Sequence, residues 1–250
     1  MEGLGFWVAA VVAAMLVGAG KGGMPVVGML GVPVLALVMP PVTAAGLLLP
    51  VYVVSDIFGL YAYRHAFDRR VLAIVLPGAM AGIAVGWATA HVVPEAAVTA
   101  LIGAIGAAFA LNLLLRHKPG GAPQAAAVVP GLFWGTVTGF TSFVSHSGGP
   151  PYQVYTLPLQ LPKMVFAGTS TIAFAVINAA KLLPYWHLGQ LNAGNLKVAA
   201  MLFLPATLAV FAGVRLVRWL PERLFFRLVT WSLLAISAKL VWDGARGLTG

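Results

Sequence analysis

Apolar residues run in stretches of membrane-spanning length over almost the whole chain, and that pattern leaves few folds open. Charged residues make up only 8% of the sequence, hydrophobic residues 60%, and the mean hydropathy is +0.95. A soluble domain of 250 residues needs far more charged surface than this. Inside a bilayer each backbone N–H and C=O must find a partner within the protein, which a helix supplies from its own segment. We therefore read the chain as an all-α, polytopic integral membrane protein. The stretches are 4–17, 24–39, 42–63, 71–91 and 96–115, then 126–144, a Gly/Pro-rich 148–161, 163–184, 196–214 and 222–242. Treating 4–39 and 126–161 as one broken pair each leaves eight units.

The net charge of +9 does not mark a nucleic-acid surface, because the basic residues form no single patch. They sit in short clusters between apolar runs: Arg64, Arg69 and Arg70; Arg116 and Lys118; Arg215, Arg218, Arg223 and Arg227. That is the positive-inside distribution of a cytoplasmic-membrane protein. The absence of cysteine excludes a disulfide framework, a thiolate metal site and a cysteine nucleophile. Met1, Glu2 and Gly3 lack the positive region of a signal peptide, so residues 4–17 are expected to be retained, with no soluble domain appended.

The two halves match by residue type. Gly22-Gly23 answers to Gly148-Gly149 at an offset of 126, and Ala45-Gly46 to Ala167-Gly168 at 122. Asp56 and Asn178, then Tyr63 and Tyr185, keep the offset of 122. Leu76-Pro77 matches Leu204-Pro205, and Val93-Pro94-Glu95 matches Leu220-Pro221-Glu222. An internal duplication explains this economically. We place the first repeat at 1–117, a turn-rich linker at 118–125 and the second repeat at 126–250. Putting 64–70 inside sends 71–91 outward, and the arginine-rich turn at 215–223 must also be inside. Its counterpart by alignment is the outside turn at 91–95, so the repeats are expected to be inverted. Each is a glycine-broken, re-entrant or split helix pair followed by three transmembrane helices. Residues 4–17 and 24–39 fall short of the roughly 20 residues of a perpendicular span, which favours broken arms.

The glycine breaks carry the candidate chemistry. Gly18-Ala19-Gly20-Lys21-Gly22-Gly23 interrupts the first half, and Ser145-His146-Ser147-Gly148-Gly149-Pro150-Pro151 interrupts the second. Irregular backbone at membrane depth must be shielded by protein or line a wet cavity, so the breaks are expected to meet in the interior. Lysine in such a segment costs at least about 2.5 kcal/mol to insert, which makes a functional role for Lys21 the default. Gly20, Gly22 and Gly23 would leave amides open beside it, and a helix starting near Met24-Pro25 would add its positive end. Together these make an anion site; the competing reading is a lysine snorkelling to an interface. The string also matches a dinucleotide fingerprint, but no βαβ unit surrounds it, and no Ser or Thr follows Lys21 to complete a P-loop.

In the second break His146, flanked by Ser145 and Ser147 and followed by Gly148, Gly149 and Tyr152, offers hydrogen bonds to an oxyanion and a proton between pH 5 and 8. A buried histidine bridging helices is the alternative. Asp56 and Asn178 should face a polar interior, Asp56 pairing with Lys21 or Lys181 or carrying a proton. Asp56, His146 and Asn178 are the coupling candidates. Gln153, Tyr155, Thr169, Ser170 and Thr171 are further polar lining, each equally explained as a helix-packing hydrogen bonder. His91, His117 and His187 fall in turns and carry no argued role. No acidic or histidine cluster calls for a metal, and nothing calls for a cofactor.

Taken in order, the glycine break at 18–23, Pro41-x-x-Ala44-Ala45-Gly46, Asp56 with Tyr63-Arg64, Gly148-Gly149-Pro150 and Gly168-Thr169-Ser170 resemble the TauE/SafE family of sulfite exporters and sulfonate permeases. The resemblance runs from about residue 5 to 243. It implies a secondary carrier for small sulfur-containing or organic anions such as sulfite, sulfonates or sulfoacetate, working by alternating access around a midplane site. A passive anion channel is the alternative. An enzyme is not expected, since no nucleophile–base pair with an orienting carboxylate is visible. The expected partners are a small anion and the lipid bilayer of a bacterial inner membrane; proton coupling and homo-oligomerisation stay open.

Overall fold

The computed structural model describes residues 3–90, 92–115, 123–188 and 193–249, and no strand occurs among them. The helices are α1 (Leu4–Lys21), α2 (Pro25–Gly28), α3 (Gly31–Leu35), α4 (Pro41–Tyr63), α5 (Arg69–Ala88) and α6 (Glu95–Leu115). The second half supplies α7 (Val128–Val144), α8 (Gly149–Thr156), α9 (Lys163–His187), α10 (Ala193–Trp219) and α11 (Glu222–Thr249). Seven of these, α1, α4, α5, α6, α9, α10 and α11, are long and apolar enough to cross a bilayer. α7 is apolar but shorter, at 17 residues. The chain is a polytopic integral membrane protein. Arg116, His117, Lys118 and most of the expected linker lie outside the described residues, as does His91.

Local chemistry sets the helix boundaries. Proline occupies the first turn of α2, α4 and α8, where its missing N–H costs nothing. Asp68 caps α5 by accepting the Val71 amide at 2.9 Å. The apolar run 24–39, expected as a broken arm with a helix starting near Met24-Pro25, holds two single-turn helices, α2 and α3. Pro25, Gly28, Gly31 and Pro33 punctuate it too densely for one helix to propagate. In the second half the corresponding stretch forms α8 and a 3-10 turn, Leu157–Leu159, ending at Gln160 in the left-handed region.

The helices sort into two compact units that do not follow the sequence halves. The first comprises Met1–Phe67 and Ala167–Leu220, the second Asp68–Phe166 and Pro221–Gly250. In the first unit α1 lies against α10, and the approach is set by glycine. A Cβ on Gly18 would run into the Ala206 carbonyl, and one on Gly22 would stand 2.5 Å from the Val210 carbonyl and 2.7 Å from Gly213 Cα. Around this seam Ala10, Ala14, Val17, Leu47, Val51 and Leu202 form a buried apolar core. The second unit uses the same device. Gly78 and Gly82 of α5 meet the Leu132 and Thr136 carbonyls of α7, while Gly135 and Gly139 of α7 meet Val75 and Ala79 of α5. Glycines four residues apart let helix backbones touch, which matters where lipid tails offer no hydrophobic drive between helices. In each unit, then, the first long helix of one half lies against a helix of the other half.

Candidate functional site

Lys21, the last residue of α1, is 6% exposed and is held by side chains from two other helices of the first unit. Its Nζ lies 2.7 Å from Asp56 Oδ1 on α4, and Asp56 is itself 4% exposed. The second carboxylate oxygen, Oδ2, accepts Asn178 Nδ2 of α9 at 2.9 Å. The ammonium also sits 5.4 Å from the Tyr52 ring centroid and 5.9 Å from that of Phe174, within range of the negative faces of both rings. A buried lysine without such partners would be prohibitively desolvated; carboxylate and ring faces together offset that cost.

The backbone around Lys21 is tied down by the same two helices. Helix ends leave carbonyls without partners. Here Thr171 Oγ1 donates to the Lys21 carbonyl at 3.2 Å, and the Tyr63 hydroxyl donates to the Gly22 carbonyl at 2.7 Å. Tyr52 donates its hydroxyl to the Gly28 carbonyl at 2.8 Å, fixing the end of α2. Gly59 permits the close approach of α4: a Cβ there would stand 2.7 Å from Thr171 Cγ2 and 3.0 Å from the Lys21 carbonyl oxygen. Gly23 turns the chain at φ +104°, a conformation that other residues rarely adopt.

Two helical stripes make this arrangement. On α4 the stripe is Tyr52, Asp56, Gly59 and Tyr63; on α9 it is Thr171, Phe174, Asn178 and Lys181, spaced three and four residues apart. Tyr52, Asp56, Gly59 and Tyr63 precede Phe174, Asn178, Lys181 and Tyr185 by 122 residues each. The aromatic pair around Lys21 and the Asp56–Asn178 hydrogen bond therefore join equivalent positions of the two halves. Lys181 is 2% exposed and close enough to Lys21 and Asp56 to feel both charges.

The glycines of 18–23 play a different part from the one expected of them. The Gly22 amide donates to the Gly18 carbonyl at 2.9 Å and the Gly23 amide to the Gly20 carbonyl at 3.2 Å, so neither is open. A Cβ on Gly20 would lie 2.5 Å from Gly28 Cα, and Gly22 faces α10. α2 is a single turn, too short to aim a useful dipole. What remains of the expected anion cradle is the charge on Lys21, already shared with Asp56.

The second break belongs to the other unit. His146 is half-buried between α7 and α8 at φ 53°, in the left-handed region that histidine tolerates better than most residues. The Ser145 and Ser147 amides both reach the Thr141 carbonyl, at 3.0 and 3.2 Å, and Ser147 Oγ donates to the Ser145 carbonyl at 2.9 Å. Gly148 and Gly149 are buried, and Pro150 and Pro151 remove two amides from the first turn of α8. Tyr152 and Gln153 are buried too, and neither atom of the Gln153 carboxamide has a hydrogen-bond partner among the described residues.

The sequence model described as Sulfite exporter TauE/SafE matches residues 4–240. The chain belongs to that family. No curated protein and no solved structure matches it. TauE/SafE membership makes this a transporter-type membrane protein, and the match covers both stripes around Lys21. Tyr52, Gly59 and Phe174 were not singled out from the sequence, although stepping in helical turns from Asp56 and adding the offset of 122 finds all three.

Proposed function

We propose that this protein is a secondary transporter for small sulfur-containing or organic anions, resident in a bacterial cytoplasmic membrane and working by alternating access of two inverted repeats. The observation that carries the reading is Lys21, a buried cation bracketed by equivalent residues of both halves. Family membership and the exchange of helices between the halves support it.

In this reading Lys21 is the primary contact for the substrate's negative charge. Asp56 keeps the lysine charged and in place when no anion is bound, and an arriving oxyanion competes with Asp56 for the same ammonium. Asn178 holds the carboxylate by its other oxygen, so Asp56 does not follow Lys21 away. Gly20, Gly22 and Gly23 let the segment fold tightly beside its neighbours. In the second unit Ser145, His146, Ser147, Gly148, Gly149 and Tyr152 are the proposed polar segment, to which Gln153 adds a carboxamide able to donate and to accept. His146 and Asp56 are the groups able to couple transport to protons.

A thermal-shift screen of purified protein against sulfite, sulfate, thiosulfate, sulfoacetate, taurine and small carboxylates should give stabilisation by at least one oxyanion. Lys21→Met should remove that shift, as should Lys21→Met/Asp56→Asn, which leaves no unpaired carboxylate behind. Wild-type anion affinity in the double variant would overturn the assignment. Saturable uptake into vesicles distinguishes a carrier from a channel.

A further inference from the structure

Two buried hydroxyls beside Lys21 have no role in this reading. Ser55 of α4 is 0% exposed and Ser170 of α9 is 1% exposed, and neither Oγ has a hydrogen-bond partner among the described residues. A hydroxyl on a helix can turn to its own backbone. Thr89, Thr136, Thr141, Thr156 and Thr230 do so, each donating to the carbonyl four residues before it. Ser55 and Ser170 forgo that bond, and a buried polar group without a partner is costly to keep.

Their positions put both on the face that holds Lys21. Ser55 has Tyr52 three residues before it and Gly59 four residues after it, on one face of α4. The Tyr52 ring sits 5.4 Å from the Lys21 ammonium, and a Cβ on Gly59 would stand 3.7 Å from Lys21 Cβ. Ser170 is flanked in the same way on α9 by Ala167 and Phe174. Ala167 Cβ stands 2.9 Å from where a Cβ on Gly23 would be, and the Phe174 ring lies 5.9 Å from the ammonium. Each hydroxyl is thus framed by residues that lie against Lys21 or the turn that follows it, all within the first unit. The positions equivalent to Ser55 and Ser170 in the opposite half are Ile177 and Leu48, so the duplication supplies each hydroxyl only once.

We propose that Ser55 and Ser170 are substrate-binding hydroxyls that, with the Lys21 ammonium, select an oxyanion head of three oxygens over a carboxylate. This rests on the anion-transporter reading above and narrows it. The three helices α1, α4 and α9 then contribute one donor each. A carboxylate holds its two oxygens in one plane and accepts best near that plane. A sulfonate or sulfite head spreads three oxygens as a pyramid and can give one to each donor. The bound head supplies the partner that the fold withholds from each hydroxyl. A carboxylate in its place leaves a buried donor unpaired, and that is where the discrimination arises.

Methanesulfonate and acetate, each singly charged and carrying one methyl group, are the probes, titrated by calorimetry into the purified full chain. Wild type should bind methanesulfonate at least about thirtyfold more tightly than acetate. Ser55→Ala and Ser170→Ala should each weaken methanesulfonate by about tenfold and acetate by less than about threefold, and the double variant should bring the two affinities close together. Serines that serve only close helix packing would change the unliganded melting temperature and leave the methanesulfonate-to-acetate ratio in place. An unmoved ratio in either single variant overturns the inference, as does a wild type that binds acetate as tightly as methanesulfonate or binds neither. If one alanine variant does not fold, the wild-type ratio and the other variant decide. Methanesulfonate binding that Lys21→Met abolishes but both alanine variants keep would leave the transporter reading intact. Failure of the wild type to bind any oxyanion of the thermal-shift screen overturns the transporter reading itself.

Discussion

Asp56 divides its two oxygens between a cation and an amide, and this division gives the pair its energetic character. Oδ1 faces Lys21 and Oδ2 faces Asn178, all three residues at most 6% exposed. Removing one member of a buried pair strands the other, at a cost of about 3–5 kcal/mol, while removing both together is far milder. Lys21→Met and Asp56→Asn should therefore each lower the melting temperature markedly, and the double variant should recover much of the loss. A double-mutant cycle read by thermal unfolding checks this, with an expected coupling at least as large as one single loss, about 3 kcal/mol or more. Additive losses would show that the two side chains do not depend on each other. This part of the site was legible beforehand only as a choice, since Asp56 had both Lys21 and Lys181 as conceivable partners. Spacing along one helix cannot say which residue of another helix stands opposite, and here it is Lys21 that stands 2.7 Å from the carboxylate.

Helices were the most legible elements and glycines the least. Apolar runs at 42–63, 163–184 and 222–242 became α4, α9 and α11 with ends moved by a few residues, because a lipid-facing backbone has no other way to satisfy itself. For the run 24–39 only the break was legible, not its two short helices, because hydropathy registers how apolar a segment is, not how often proline and glycine interrupt it. The glycines of 18–23 were misread as an open cradle. Gly18 and Gly22 stand one turn apart, a spacing that serves helix contact as well as it signals a break, and only the neighbouring α10 decides between them. The two ends of α1 offer a direct test. Gly5 has open space where a Cβ would go, whereas a Cβ on Gly18 meets the Ala206 carbonyl. Gly5→Val should leave the melting temperature within a degree or so, and Gly18→Val should cost about 1–3 kcal/mol through forced separation of α1 from α10. Equal effects would mean that the α1–α10 seam is not set by glycine.

At the scale of the molecule the two sequence halves are interleaved, each compact unit drawing helices from both. The repeat offset of 122 was legible because α4 and α9 carry matching residues at matching turns, and those turns converge on Lys21. The packing of α1 on α10 and of α7 on α5, each across the two halves, was not legible, since packing partners leave no periodic trace in a uniformly apolar sequence. Inversion of the repeats rests on charge. Arginines flank 64–70 and 215–223, yet the turn at 215–223 aligns with the weakly charged turn at 91–95. Parallel repeats would put those aligned turns on one side; inverted repeats put them on opposite sides. The chain contains no cysteine, so single cysteines can be placed without a background. His65, Val92 and Arg223 are exposed positions in or beside the three turns. His65→Cys and Arg223→Cys should react with an impermeant maleimide only after the membrane is opened, and Val92→Cys should react in intact cells. If Val92→Cys and Arg223→Cys label from the same side, the repeats are parallel. An alternating-access cycle built on inverted halves then loses its geometric basis, while the Lys21–Asp56 site within the first unit is untouched.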